Sequence, residues 1–305
     1  MDRLIRGFFL FLSKNKWVSK MAKRHGLHLG ASRFVAGETI EEAAEIIKRL
    51  TDNHLDVTMD YLGEYVDSER EAKERTNRTI QTIEVIGERK LNAQLSVKLT
   101  SLGLDLSEEL VRFNMRDILQ AAQRQQIFVT IDMEDYSRCE KTLRIYRDLR
   151  EEYDNVGTVI QAYLYRSVQD LEHLVGYHPI LRLVKGAYKE SAEIAYQQKK
   201  DVDENFKKII KSQLLNGHYT AVATHDDKII EYTKQLVKEH HIPRHQFEFQ
   251  MLYGIRPEKQ LELVQEGYKM RVYVPFGTDW FGYFMRRLAE RPANVAFLLK
   301  GIFQK

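Results

Sequence analysis

The chain alternates between short apolar runs and longer charged runs, and this alternation restricts the fold more than any other feature of the sequence. Each apolar run is rich in Val, Ile, Leu, Tyr and Phe, as expected for a buried strand. Eight such runs lie at residues 55–63, 93–103, 127–134, 156–164, 180–188, 219–226, 247–254 and 268–277.

The runs between the candidate strands have the spacing of amphipathic helices. At residues 68–90 and 228–242, apolar side chains recur at steps of three and four, so one face of each helix would be buried. Strand–helix–strand order predicts parallel strands joined by right-handed crossovers. We therefore expect an α/β fold, either a closed (β/α)8 barrel over residues 55–305 or a doubly wound open sheet. Residues 1–54 would add an amino-terminal helical segment.

Composition is that of an ordinary folded protein and excludes several classes of function. The 305 residues are 43% hydrophobic and carry a net charge of +3, which is too close to zero to indicate nucleic-acid binding. The single cysteine, Cys139, excludes an intrachain disulfide and a multi-cysteine metal site, and it fits a reducing, cytoplasmic compartment. The sequence has no P-loop, no Rossmann glycine fingerprint, no G-x-S-x-G elbow and no H-E-x-x-H motif.

A metal site is not expected either. His225, Asp226 and Asp227 could offer two or three ligands, but no second histidine lies at a ligand spacing.

The first 26 residues differ from the rest of the chain. They contain seven Lys or Arg residues and one acid, Asp2, and the apolar run FFLFL lies among them. This run is too short to span a bilayer. Basic residues mixed with aromatic residues suit a helix lying on an anionic membrane surface. The alternative is a helix whose aromatic side chains pack on the main domain.

Polar side chains interrupt most of the candidate strands. In α/β barrels the active site lies at the carboxyl end of the strands, and a buried charge needs a partner or a ligand. We therefore favour a functional site, with a structural salt-bridge network inside the barrel as the alternative. The polar positions are Lys98, Asp132, Glu134, Gln161, Arg182, Lys185, Thr224, His225, Glu248, Gln250 and Tyr273.

Two adjacent arginines, Arg286 and Arg287, follow the last candidate strand on an aromatic helix. If they converge with Lys98, their planar guanidinium groups would bind a carboxylate well. The alternative is a solvated pair on the outer face of the helix.

Seven segments, taken in order, closely resemble the proline dehydrogenase family. They are VKLTSLG, IDMED, VIQAYL, LRLVKGAY, VATHD, FEFQMLYG and YVPFGTDWFGYFMRRLAERPAN. The resemblance covers about residues 55–300. The length is similar to that of the short monofunctional bacterial form, with no room for the aldehyde dehydrogenase domain of the bifunctional relatives.

The resemblance implies a distorted (β/α)8 barrel of the TIM type that binds FAD and oxidises L-proline to Δ1-pyrroline-5-carboxylate. Hydride would pass from proline Cδ to flavin N5, in the first step of proline degradation to glutamate. The electrons would then reach a membrane quinone. Residues 1–25 would accordingly make a peripheral contact with the cytoplasmic face of the membrane.

The resemblance also implies roles for individual residues. Asp132 and Arg182 would be catalytic, and Glu64 would pair with Arg286 to gate the site. Proline would be held by Lys98, Arg286 and Arg287 at its carboxylate and by Tyr188, Leu252 and Tyr273 around its ring. FAD would be contacted by Met133, Gln161, Arg182, Lys185, Gly186, Ala187, Thr224, His225 and Gln250.

The sequence departs from longer members of the family at two positions, and two other functions remain as alternatives. Tyr253 and Lys189 stand where some longer relatives have His and Trp, which affects the adenosine contacts and the pocket shape. A Schiff-base lyase or aldolase could use Lys185 or Lys98 as its amine nucleophile. A non-catalytic module could be tethered to membranes by the basic terminus.

Overall fold

The computed structural model describes residues 30–290 and shows a closed barrel of eight parallel strands. The strands are β1 (Asp56–Tyr61), β2 (Ala93–Val97), β3 (Val129–Ile131), β4 (Val156–Gln161), β5 (Leu181–Val184), β6 (Thr220–Ala223), β7 (Phe247–Leu252) and β8 (Met270–Phe276). Consecutive strands are neighbours, and β8 pairs with β1 to close the sheet. The TIM-type barrel is therefore confirmed, and the open sheet is excluded.

Nine α-helices lie in the described part of the chain. They are α1 (Ile40–Asp52), α2 (Glu69–Glu88), α3 (Glu108–Arg124), α4 (Tyr136–Glu152), α5 (Ser167–Leu174), α6 (Lys199–Leu215), α7 (Asp227–Glu239), α8 (Pro257–Gln265) and α9 (Trp280–Glu290). Several begin at a side-chain cap: Ser68 and Ser107 each accept a hydrogen bond from the backbone three residues later. None of these helices is both long enough and apolar enough to span a bilayer.

Each of the eight strands ends before the end of the apolar run that predicted it. The second run continues to residue 103, but β2 stops at Val97 and a 3-10 turn follows at Leu99–Leu102. The third run covers 127–134, whereas β3 is only Val129–Ile131. The apolar pattern continues past the strands because the following segments carry further apolar side chains, and several of these, including Leu62, Leu99 and Met133, are buried.

The two faces of the strands differ in polarity. On β8, Met270, Val272 and Val274 alternate with Arg271 and Tyr273, and all but Tyr273 are buried. Successive side chains of a strand point to opposite faces. The apolar set therefore faces the helices, and the polar set faces the inside of the barrel.

The described segment before β1 and helix α9 pack together. Trp280, Phe284 and Leu288 of α9 form a cluster with Phe34 and Val35. Further along the same segment, α1 contacts β1 and β8. The division of the chain at residue 54 stays a prediction, and the expected membrane contact of residues 1–25 lies outside the described residues.

A buried ion pair lies at the amino-terminal end of the barrel. Arg271 donates from Nε to Glu248 Oε1 at 2.7 Å and from Nη2 to Oε2 at 3.1 Å. Burial would raise the pKa of Glu248, but the charge of Arg271 outweighs it and lowers this pKa to about 2. Grouping Glu248 with the active-site residues was therefore wrong. It is the second residue of β7 and belongs to a structural pair.

We expect Arg271→Met to lower the free energy of unfolding by about 3–5 kcal/mol near pH 7, because Glu248 would be left buried without its partner. Urea unfolding followed by circular dichroism measures this loss. In the wild type, Glu248 contributes stability that is lost as the pH falls from 4.5 towards about 2. The difference between variant and wild type should therefore shrink in acid.

The double variant Glu248→Gln/Arg271→Met is the matched control, and it should recover most of the stability because no unpaired charge remains. Equal stability of the single variant and the wild type at neutral pH would contradict the assignment of this pair.

Candidate active site

Four of the expected site residues form one cluster at the carboxyl end of the barrel. Asp132, just after β3, accepts a hydrogen bond from Arg182 Nη1 at 2.6 Å through Oδ1. Its Oδ2 accepts from the Tyr273 hydroxyl at 2.7 Å and lies 3.4 Å from Lys98 Nζ. Residues from β5, β8 and the end of β2 therefore converge on one carboxylate.

Two further side chains fix the guanidinium of Arg182. Its Nε donates to Gln250 Oε1 at 2.7 Å, and its Nη2 donates to Ser96 Oγ at 2.9 Å. The guanidinium carbon also lies 5.2 Å from the centre of the Tyr273 ring. Gln250 was expected to contact FAD, and in the structure it orients Arg182. Ser96 was not identified from the sequence.

Sequence reasoning also missed Asp60, the nearest acidic partner of Lys98. Lys98 Nζ donates to Asp60 Oδ2 at 2.9 Å, and the Asp60 side chain is only 4% exposed. Asp60 lies between Met59 and Tyr61 in β1, so strict alternation along that strand could have placed it inside the barrel.

The charges of this cluster depend on one another. Burial would lower the pKa of the Lys98 ammonium, but Asp60, Tyr273 and Asp132 raise it well above its ordinary value. Burial raises the pKa of Tyr273 strongly, and the neighbouring carboxylates of Asp132 and Asp60 raise it further. Lys98 is therefore a cation and Tyr273 a neutral phenol.

The expected pair between α9 and the loop after β1 is present. Arg286 Nη2 donates to Glu64 Oε1 at 3.0 Å, with side-chain exposures of 37% and 23%. Glu64 is also close enough to Lys98 to contribute to its raised pKa. The neighbouring Arg287 lies over the Tyr283 ring, 5.1 Å from its centre. Gating by the pair of Glu64 and Arg286 stays a prediction.

Two of the three expected ring contacts lie on neighbouring strands, and the third follows β5. Leu252 at the end of β7 is in register with Tyr273 of β8, so the two share a face. Tyr188 is half-buried; burial raises its pKa, and the negative charges of Glu134 and Glu64 add to the rise. Tyr188 is therefore a neutral phenol.

Met133, Glu134 and Gln161 connect β3 with β4. Gln161 Nε2 donates to the carbonyl oxygens of Met133 and Glu134 at 3.4 and 3.2 Å. The Glu134 carboxylate accepts from the Thr100 backbone at 3.0 Å. Burial raises the pKa of Glu134 to about 7, although hydrogen bonds from the hydroxyl and the backbone of Thr100 oppose the rise. Glu134 thus ties the turn after Lys98 to the loop that carries Asp132.

The remaining expected cofactor residues surround a second region, after β5 and β6. Lys185 forms ion pairs with Asp203 and, at 2.7 Å, with Asp226. The backbone of Asp226 donates to Thr224 Oγ1 at 3.1 Å. A cleft of about 550 Å³ lies here, lined by Lys185, Thr224, His225, Asp226, Asp227 and Arg256. Asp203 and Arg256 were not identified from the sequence.

Two details of this region bear on ligand binding. His225 Nε2 accepts a hydrogen bond from the backbone of Leu252 at 3.1 Å, so this nitrogen is not available to a metal. Gly186 has φ +105°, and a Cβ there would lie 2.1 Å from the ring of Tyr163. Only glycine fits at this position. Ala187, which follows it, is exposed.

Comparisons with known proteins agree with this geometry. The family model for proline dehydrogenase matches residues 43–300. Proline dehydrogenase 1 of Bacillus subtilis (strain 168) is 60% identical over 302 residues, covering 99% of this chain and 100% of the relative. The proline dehydrogenase of Deinococcus radiodurans is 41% identical over 309 residues, covering 100% of this chain and 99% of the relative.

A solved structure supports the same relationship. Proline utilization A (PutA) from Bdellovibrio bacteriovorus, inactivated by N-propargylglycine, superposes with a TM-score of 0.84 at 27% identity. The match covers 94% of this chain and 36% of that chain, so this protein spans about a third of the PutA length.

The matched segment includes all eight strands and the cluster around Asp132. Full-length relatives at 60% and 41% identity carry the same family name, which excludes a non-catalytic interaction module. The chain belongs to the proline dehydrogenase family of oxidoreductases.

Proposed function

We propose that the protein is an FAD-dependent L-proline dehydrogenase that produces Δ1-pyrroline-5-carboxylate. The cluster of Lys98, Asp132 and Arg182 carries the proposal, because it holds two cationic side chains in fixed positions at the carboxyl end of the barrel. The names of the full-length relatives, proline dehydrogenases, support the choice of substrate.

The residues at this end of the barrel fit a flavin. Gln161 Oε1 is buried with no hydrogen-bond partner among the described residues, so an acceptor is left for a polar ligand edge. Met133, Gln161, Arg182, Lys185, Gly186, Ala187, Thr224, His225 and Gln250 would hold FAD. FAD supplies the acceptor, flavin N5, for the hydride from proline Cδ.

The substrate carboxylate would be bound by Lys98, Arg286 and Arg287. Arg286 is one-third exposed and paired with Glu64 through a single hydrogen bond, so a ligand carboxylate can replace Glu64 at little cost. Exchange of the partner of Arg286 is the gating step that we propose for this pair.

The reactive amine must be neutral, because its lone pair supports the forming C=N bond. Positive charge from Lys98, Arg286 and Arg287 disfavours the ammonium form of bound proline. Tyr273 stays protonated and donates a hydrogen bond to Asp132. It would therefore form a neutral wall beside the substrate ring, together with Tyr188 and Leu252. Positioning of the neutral amine accounts for much of the expected rate gain.

Arg182 would place positive charge next to the flavin and so favour its reduced, anionic form. Four contacts immobilise this guanidinium inside the barrel, including those to Asp132, Ser96 and Gln250. A charge held this rigidly does not have to reorganise during hydride transfer.

The electron acceptor would be a membrane quinone, reached by peripheral contact of residues 1–25 with the cytoplasmic face of the membrane. The basic and aromatic composition of that segment supports this part of the proposal.

A Schiff-base reaction is less well supported. It needs a neutral lysine amine, whereas the neighbours of Lys98 raise its pKa well above the ordinary value. Lys185 is paired with two carboxylates.

Anaerobic titration with L-proline tests the proposed reaction. We expect the purified protein to carry flavin absorbance that bleaches as L-proline is added, whereas D-proline at the same concentrations should leave it unchanged. A colourless protein, or a flavin that L-proline does not reduce, would contradict the proposal.

The carboxylate site is tested by Arg286→Met and Arg287→Met. Each should raise the KM for L-proline by about 10- to 150-fold while flavin stays bound, since a lost charge-assisted contact is worth about 1.5–3 kcal/mol. Steady-state kinetics and the flavin absorbance of each variant provide the measurement. Arg244→Met, on a distant arginine stacked over Tyr268, is the control and should leave KM unchanged. An unchanged KM for either test variant would remove that arginine from the site.

A further inference from the structure

Asp60 is the acidic group of the cluster that the proposed reaction does not use. It lies on the inner face of β1, and its carboxylate is 2.9 Å from Lys98 Nζ. Asp132, by contrast, is already bound by Arg182 and by the Tyr273 hydroxyl. The two carboxylates are therefore not equivalent: Asp132 holds Arg182, and Asp60 holds Lys98.

The three donors of the Lys98 ammonium all have acceptors within the protein. Its Nζ lies 2.9 Å from Asp60, 3.4 Å from Asp132 and 3.5 Å from the Tyr273 oxygen. The contact with Asp60 is the shortest, and the other two are at the limit of a hydrogen bond. Lys98 can therefore turn a donor from Asp132 or Tyr273 towards a ligand while it stays anchored to Asp60.

The charges of the cluster also bear on the role of Asp60. Lys98 and Arg182 carry two positive charges, and Asp60 and Asp132 carry two negative charges, so this cluster is neutral without substrate. Burial raises the pKa of Asp60, and the opposing charge of Lys98 favours its ionised form. The negative charge of Asp60 reduces the attraction that a ligand carboxylate feels from Lys98.

We propose that Asp60 is a positioning residue that anchors Lys98 and limits, through its charge, the affinity of the site for the substrate carboxylate. This inference rests on the proposed function only in taking the ligand to be a ring carboxylate. It separates two effects, position and charge, that different substitutions of Asp60 can distinguish.

Asp60→Asn keeps an oxygen that can accept from Lys98 but removes the charge. We expect it to tighten the binding of cyclopentanecarboxylate, a ring carboxylate without an amine, by at least about fivefold. Binding of the neutral cyclopentanecarboxamide should not change. Calorimetric titration of the flavin-loaded protein gives both dissociation constants. Asp60→Ala, which removes the anchor as well, should bind the carboxylate less tightly than Asp60→Asn.

Asp56→Asn is the matched control. Asp56 lies on the same strand and the same inner face, at the opposite end of the barrel, where it pairs with Arg271 at 3.2 Å. The same chemical change there should leave the binding of cyclopentanecarboxylate as in the wild type.

A double variant tests whether Asp60 acts on the ligand through Lys98. Lys98→Met alone would leave Asp60 buried without its cation and could prevent folding, so the double variant Asp60→Asn/Lys98→Met is used. It should lack the gain in carboxylate affinity. The pH profile gives an independent readout. The charge of Asp60 raises the pKa of Lys98, so as the pH rises, carboxylate affinity in Asp60→Asn should fall at a lower pH than in the wild type. The charged or titratable groups facing Lys98 from other elements, Glu64, Asp132 and Tyr273, are unchanged in that variant.

Three results would overturn the inference: an Asp60→Asn variant whose carboxylate affinity equals the wild type, one whose affinity is weaker, or a gain that persists without Lys98. Reduction of the flavin by L-proline is read separately on the wild type. If L-proline reduces the flavin but Asp60→Asn leaves carboxylate affinity unchanged, this inference alone is wrong. If L-proline does not reduce the flavin, the proposed function is wrong.

Discussion

Pairing of buried charges inside the barrel is the constraint on which the rest of the structure depends. Many α/β barrels fill their interior with layers of branched apolar side chains. Here three buried cations, Arg271, Arg182 and Lys98, each have a carboxylate partner from another strand or its loop. Removing any one partner leaves a buried charge, which costs several kcal/mol in a domain of ordinary stability. The closed barrel therefore depends on the neutralisation of the charges in its interior.

The pairs form one continuous network. Gln250 accepts from Arg182 through Oε1 and donates through Nε2 to Glu248, each at 2.7 Å. Glu248 belongs to the structural pair with Arg271, so a single amide links the base of the barrel to the active site. A buried network with every member satisfied holds its groups in fixed positions. The rigidity of Arg182, which the proposed chemistry uses, is thus supplied partly from the opposite end of the barrel.

Local pattern in the sequence was enough to predict the strands, and the family resemblance named most of the site. The apolar runs identified all eight strands, because each strand has one face packed on helices. The carboxyl ends were placed too late, since the segments that follow several strands carry further apolar side chains. Charge partners on neighbouring strands could not be read from the sequence, because they depend on the register between segments that are far apart in the chain. Asp60 pairs with Lys98 across 38 residues, and Glu248 with Arg271 across 23. Asp60 was therefore missed, and Glu248 was assigned to the wrong end.

The cations of the site divide into two kinds by burial. Lys98 is 14% exposed and cannot leave Asp60 without stranding a carboxylate that is only 4% exposed. Arg286 is 37% exposed and can exchange Glu64 for another anion, because water stabilises the released carboxylate. A site built from exchangeable cations alone would bind a carboxylate without fixing the position of the attached ring. A site built from buried cations alone would already be neutralised by its own acids. In the proposed function, this combination would let α9 capture the substrate carboxylate while the barrel sets the orientation of the attached ring.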